Sequence, residues 1–223
     1  RKKGIREVRG GIYDGLTFRL DLEAFREHCE KMESVDPDLY LHIPSVEDMW
    51  FTQRLQEDPE TMSYNAGWEI DFEGYHPETG CIDFPERCWQ EKWEDWVGQE
   101  PNRFYAFVRE KKTGDFICEV CFHYTDEKDW HDMGVLLCAP YRGRGYGARC
   151  LELLLYHAFV VCGIDRLHND FEETRSAALS IHKKVGFLET GESRILRFGE
   201  NVRVVDLLLT KERYFALHPE YRS

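Results

Sequence analysis

Apolar residues along this chain fall into two spacings, and the position where one gives way to the other outlines the architecture. Between residues 104 and 138 they come in short runs bounded by turn formers. Strands are therefore expected at 104–108, 116–122 and 131–138. Lys112, Thr113, Gly114 and Asp115 supply a turn between the first two, so an antiparallel meander is the natural arrangement. Past Pro140 the spacing lengthens to the helical period. Leu151, Leu154, Leu155, Ala158 and Phe159 share one face of a helix expected over 147–162 and ended by Gly163. A strand at 164–169, a helix at 174–185 ended by Gly186, and strands at 187–196 and 202–209 follow, and then a polar tail.

Ahead of the meander, 39–43 reads as a short strand closed by Pro44, and Ser45 with Asp48 forms a helix cap for a segment running to about Gln56. Trp89, Trp93 and Trp96 lie on one face of a helix over 86–97, where core packing is the simplest role. Residues 1–37 form an expected accessory segment, with turns at Gly10, Gly11 and Gly15 and a helical stretch over 21–32; residues 38–223 form the main domain. Between 58 and 85 the pattern is irregular. Asn65, Gly67, Gly74, Pro77 and Gly80 break it, while aromatic residues alternate with acidic ones. A connection of this length with so many aromatics points to a functional loop.

Composition narrows the classes. A content of 42% hydrophobic and 14% aromatic residues can fill a sizeable core. A net charge of -13 disfavours nucleic acid and anionic membrane as partners and is compatible with a cationic one, or with solubility alone. No apolar run is long enough to span a membrane, and Arg1-Lys2-Lys3-Gly4 is not followed by a signal-peptide core, so a cytoplasmic location is expected. Eight cysteines are scattered, several within apolar runs, as reduced buried thiols are. Cys118 and Cys121 have metal-pair spacing, but residues three apart on a strand face opposite ways, and no metal site is expected.

The chemistry concentrates in Arg142-Gly143-Arg144-Gly145-Tyr146-Gly147, between the 131–138 strand and the 147–162 helix. Alternate glycines let a ligand approach the backbone, and amides at a helix N-terminus attract anions. Two arginines add charge suited to a phosphate or pyrophosphate. Taken alone, the turn fits any phosphate-bearing ligand, or none. The G-x-x-x-x-G-K-S/T pattern is absent. The dinucleotide pattern also fails, because Ala148 stands at the place of its third glycine, and a meander rather than a βαβ unit precedes the turn.

Here the chain resembles the GCN5-related N-acetyltransferase (GNAT) family, particularly its ribosomal-protein-alanine acetyltransferase-like branch. Arg142, Gly145 and Gly147 match the family's Arg/Gln-x-x-Gly-x-Gly/Ala signature, and 177–187, ending in Gly186-Phe187, is similar to its second motif. The resemblance implies an α/β (α+β) fold: a twisted, mostly antiparallel sheet, splayed at a bulged central strand, with helices on both faces. It implies acetyl-CoA as co-substrate, bound by Val135, Leu136 and Leu137 through their backbone and by Arg142, Gly143, Arg144, Gly145, Tyr146 and Gly147 at the pyrophosphate. Two positions depart from the family. Arg175 replaces an asparagine and is assigned to the cofactor, and His182 replaces the tyrosine that protonates the leaving thiolate and is assigned as acid.

Acyl transfer to an amine also needs a base, and His131, Glu119 and Asp132 are the candidates, in that order. His131 and Asp132 point to opposite faces, and a one-residue bulge would exchange them. No nucleophile motif suggests a covalent intermediate, and direct attack within a ternary complex is expected. The acceptor is an amine on a small molecule or a protein N-terminus, recognised through the segment 64–84 by cation–π and carboxylate contacts. The alternative is a non-catalytic acyl-CoA-binding or interaction protein. An exposed late strand at 202–209 could pair two copies into a homodimer.

Overall fold

Alternation of apolar residues on both faces makes β4 (Arg103–Glu110) a central strand: every residue from Phe104 to Val108 is buried. It pairs antiparallel with β3 (Leu39–His42) on one side and with β5 (Phe116–Thr125) on the other, and β5 pairs antiparallel with β6 (Trp130–Leu137). Beyond these lie β7 (Arg166–Glu172), β8 (Leu188–Arg197) and β9 (Glu200–Thr210), in the sheet order β3–β4–β5–β6–β7–β9–β8. This is an α+β fold with a seven-stranded, mostly antiparallel sheet. The computed structural model describes residues 4–8, 11–15 and 35–222. The chain divides into two units, Arg1–Ser34 and Val35–Ser223. In the first, β1 (Gly4–Val8) and β2 (Gly11–Gly15) form an antiparallel hairpin, and the helix expected over 21–32 lies outside the described residues.

Among the described residues of the second unit the α-helices are α1 (Trp50–Glu57), α2 (Pro59–Met62), α3 (Trp89–Trp96), α4 (Tyr146–Tyr156), α5 (Ser176–Lys184) and α6 (Lys211–Leu217). Because strand side chains alternate, Tyr105 and Phe107 face α1 and α3, where Phe51 packs edge-on to Phe107 at 5.0 Å and the Trp89, Trp93, Trp96 face closes the cluster. Phe104 and Phe122 stack on the opposite face, against His157 at the end of α4. Each fully buried phenylalanine contributes about 2–3 kcal/mol of transfer free energy, so both helical layers are bound to the sheet through this central pair of strands.

β6 and β7 are parallel neighbours at only two positions, His131 with Leu167 and Asp132 with His168. There His168, stacked on Trp130, bridges Asp132 (Nδ1 to Oδ1, 2.6 Å) and Asp206 of β9 (Nε2 to Oδ1, 3.3 Å). Beyond this clamp the two strands diverge, which splays the sheet. The expected bulge in the central strand is absent. β5 and β6 keep one unbroken register from Cys118–Leu137 to Thr125–Trp130, and the splay comes from the loss of β6–β7 pairing alone.

Three further expectations are corrected. The 202–209 segment is not an edge: a turn at Phe198 and Gly199 folds β8 outside β9, so β8 is the edge strand. The polar tail contains α6, capped by Thr210 and anchored by buried Tyr214. The irregular stretch after Asp58 begins with α2, where Asp58 accepts from the Glu60 and Thr61 amides and Pro59 occupies the first turn. Gly186 of the 177–187 motif has a structural role. Its φ is +108°, and an added Cβ would lie 2.4 Å from Leu217 of α6. Phe187 beside it is buried against His182.

Candidate active site

The splay between β6 and β7 opens a cleft of about 830 Å³. One wall is β6 from Met133 to Leu137, and the other is β7 with the start of α5. Cys138 N–H donates to the Ile117 carbonyl at 3.0 Å, which sets the hydrogen-bonded positions of the β5–β6 ladder at Cys138, Leu136 and Gly134. The amides of Leu137 and Val135 therefore point the other way, to the side that β7 has left. Among the described residues they have no strand partner, and they line the cavity.

At the mouth, Gly143 and Gly145 have φ of +70° and +84°, and nothing lies within 4 Å of an added Cβ at either. The left-handed backbone, not crowding, is what requires glycine there. Gly145 is the N-cap of α4 and offers no side-chain cap, so among the described residues no side chain caps the first-turn amides at the positive end of the helix dipole. Arg142 donates to the Glu60 carbonyl at 2.9 Å and the Thr61 carbonyl at 2.5 Å, which ties the turn to α2. Arg144 is exposed and flanked by Tyr141 and Tyr146, while Tyr146 turns its hydroxyl to Glu110 at 2.7 Å; neither Arg144 nor Tyr146 lines the cleft.

Of the three base candidates, Glu119 alone lines the cleft. Tyr105 and Thr52 donate to its Oε2 at 2.5 and 3.1 Å, leaving Oε1 without a protein partner among the described residues. Burial raises the Glu119 pKa, against the opposing hydrogen bond from Tyr105 and the charge of Lys92. His131 lies on the other face, donating from Nε2 to the Pro101 carbonyl at 3.1 Å, and burial lowers its pKa. Asp132 is committed to Thr125, Trp130 and His168. Periodicity could not reveal that the splay begins two residues beyond His131; the cleft is set by strand pairing.

His182 also lines the cleft, and its nitrogens are both engaged. Nδ1 lies 2.8 Å from the Ala178 carbonyl and must carry the proton, while Asn169 donates to Nε2 at 2.9 Å. Burial lowers its pKa further, so this imidazole is neutral and has no proton on Nε2 to give. Cys121 in the cleft is pushed up to about 12, and Cys138, outside it, up to about 11, both by burial, which leaves neither thiol nucleophilic. No metal-binding group of three ligands occurs among the described residues, and no helix among them is long and apolar enough to cross a membrane.

The segment 64–84, assigned to the acceptor, is a tied loop rather than a flexible one. Tyr75 donates to the Asn65 carbonyl at 2.6 Å, and Arg197 of β8 donates to Ala66 at 2.7 Å while pairing with buried Glu172. Its Tyr64, Asn65 and Ile82 line the cleft, together with Gln56 and Met62, residues that no sequence motif marks. A second chamber of about 570 Å³ adjoins it, lined by Trp68, Glu69, Ile70, Glu172, Ile195 and Leu196 among others.

Residues 38–188 match the family described as Acetyltransferase (GNAT) domain. Among solved structures, the chain is similar to the spermidine N-acetyltransferase from Vibrio cholerae in complex with CoA and spermine (14% identity, 81% of this chain and 99% of that one, TM-score 0.65). It is also similar to a GNAT-family acetyltransferase from Bacillus anthracis (15% identity, 78% and 96%, TM-score 0.59). A third similar structure is a probable acetyltransferase (16% identity, 80% and 96%, TM-score 0.61). No curated protein matches the sequence.

Proposed function

Because the chain belongs to the GNAT acetyltransferase family, an N-acetyltransferase family using acetyl-CoA on amine acceptors, we propose that the β6–β7 cleft is where this transfer occurs, with Glu119 as the general base. The observation that carries this is the convergence, in one cavity, of a helix N-terminus with free amides, two unpaired strand amides and a carboxylate with a free oxygen.

The pyrophosphate of acetyl-CoA is assigned to the first turn of α4, with Gly143, Gly145 and Gly147 allowing close approach and Arg144 adding charge from the rim. Arg142 holds the turn in place. The pantetheine arm lies along Val135, Leu136 and Leu137 as an added strand, taking the hydrogen bonds that β7 does not. One of these amides polarises the thioester carbonyl. The acceptor arrives as an ammonium. Glu119 takes its proton, and the raised pKa suits that exchange near neutral pH. The amine attacks the carbonyl carbon directly, C–N forms, C–S breaks, and the thiolate takes the proton that the new amide nitrogen sheds. His182, engaged at both nitrogens, is given no acid role and braces α5 against Asn169.

Resemblance to the ribosomal-protein-alanine branch supports a protein N-terminus as acceptor, and the polyamine named for the Vibrio cholerae neighbour supports a small amine. The chamber beside the cleft, of small-molecule size, favours the small amine. Seven described cysteines, all free thiols, support a cytoplasmic location, and the unpaired edge of β8 supports pairing of two copies. Calorimetry with acetyl-CoA, followed by thiol release with an amine panel, tests the assignment. Binding that Gly145→Glu abolishes, with amine-dependent thiol release, is expected. Binding without release for any amine would instead leave a non-catalytic acyl-CoA-binding protein.

A further inference from the structure

We infer that the acceptor is a small amino-carboxylate, an amino acid or close analogue with an apolar side chain, whose carboxylate is held by Arg175. The inference rests on the assignment of this chain as an amine acetyltransferase and specifies its substrate class.

Tyr64, Asp170, Phe171 and Arg175 line both the cleft and the adjoining chamber, so the two are one continuous space and Arg175 stands at the join. Its guanidinium rests on the ring faces of Tyr64 (4.7 Å) and Phe171 (5.3 Å), and among the described residues none of its side-chain N–H groups meets a carbonyl or carboxylate. The arginines around it are committed. Arg142 holds the Glu60 and Thr61 carbonyls, and Arg197 takes Glu172. A guanidinium stays charged even where burial lowers its pKa, so a half-buried one with no counter-ion forms a site for an incoming anion. Its planar fork matches a carboxylate.

Asp170 also lines the join and, among the described residues, makes no side-chain hydrogen bond or ion pair, with Arg175 included. The join therefore offers one free charge of each sign, which suits a zwitterion. A polyamine would bring its second cation beside Arg175, a repulsion that Asp170 and Glu69 of the chamber offset only in part. Beyond the join, Trp68, Ile70, Ile195 and Leu196 present apolar surface to the chamber, and the last three are exposed despite their hydrophobicity. An apolar side chain of the acceptor would cover them. The reaction joins the amino nitrogen to the acetyl carbon and releases CoA thiol, one proton leaving with Glu119, to give an N-acetyl amino acid.

The test uses the full chain and acetyl-CoA, with thiol release read for leucine and phenylalanine, their carboxamides and spermidine. Acid and amide share the side chain and differ in the anion and, through it, in the amine pKa, so rates are compared per neutral amine. Expected is a kcat/KM for the acids about tenfold to a hundredfold above the amides, the size of a charged hydrogen-bonded contact. Arg175→Gln should erase that difference through KM, and Arg175→Lys should restore part of it. The acetyl-CoA Kd should stay within twofold in both variants. Equal use of acids and amides, preference for spermidine, or an Arg175→Gln variant that loses acetyl-CoA binding would overturn the inference, the last by assigning Arg175 to the cofactor. In those cases amine acetylation itself stands. Absence of thiol release with every amine removes the enzymatic assignment and this inference together. The acid-to-amide comparison needs no variant, so it decides even if Arg175→Gln does not fold.

Discussion

Replacing Glu119 with glutamine removes a base while leaving its setting nearly intact. Tyr105 and Thr52 both donate to Oε2, and an amide oxygen at that place accepts from the same two hydroxyls. The loss then isolates proton acceptance, for which a positioned general base contributes about 10²–10⁴ in rate. We expect Glu119→Gln to lower kcat/KM by about 10²–10³, roughly 3–4 kcal/mol of transition-state stabilisation, with the acetyl-CoA Kd unchanged. Stability should move the other way. Burial raises the pKa of Glu119 in the fold above its value in the unfolded chain, so its contribution is fully present below the unfolded pKa of about 4.3 and is lost as pH rises through the folded value. At pH 8 the variant should therefore melt at or above the wild-type temperature, and the gap should close towards pH 4. The acidic limb that Glu119 gives the pH profile of kcat/KM should disappear. Thiol-release kinetics across pH and parallel thermal melts make the comparison. Activity within threefold of wild type, or activity lost in step with melting temperature, refutes the argument.

Three further outcomes are expected. Buried Asp36 accepts from Arg149 at 2.6 Å through each oxygen and from the Asp38 and Leu39 amides, so Asp36→Ala should cost about 2–3 kcal/mol in denaturant unfolding. Burial pushes its pKa up, but the Arg149 and amide hydrogen bonds outweigh this and hold it low; its contribution should be present above about pH 4 and fade as pH falls through the folded value, so the variant should lose less on acidification than wild type. Gly145→Ala, at φ +84° in open space, should cost about 1 kcal/mol of stability with a modest loss of acetyl-CoA affinity, whereas Gly145→Glu, placing a negative charge at the α4 N-terminus, should abolish calorimetric binding. Arg197→Met strands buried Glu172 and removes the side-chain tie from β8 to Ala66, which should cost about 3 kcal/mol and raise acceptor KM more than acetyl-CoA Kd.

By itself, the sequence determined what depends on neighbours in the chain. The meander of β4, β5 and β6, the helix after the glycine turn and the Gly186-Phe187 closure all follow from period, caps and backbone freedom, and the family is matched over residues 38–188. Only the tertiary structure decided what depends on which strands part. On paper His131 ranks ahead of Glu119 as the base, and the structure reverses that order, with Glu119 in the cleft and His131 against Pro101. His182 has the chemistry of an acid until Asn169, from β7, takes its second nitrogen. Strand 202–209 has the pattern of an edge until β8 folds outside it. Arg175 is one arginine among many in the sequence, and only the structure shows it resting on Tyr64 without a side-chain hydrogen bond among the described residues while Arg197, from β8, takes Glu172. Local pattern specifies an element and the faces it presents; long-range pairing specifies which of those faces meets a cavity and which charges are left without partners.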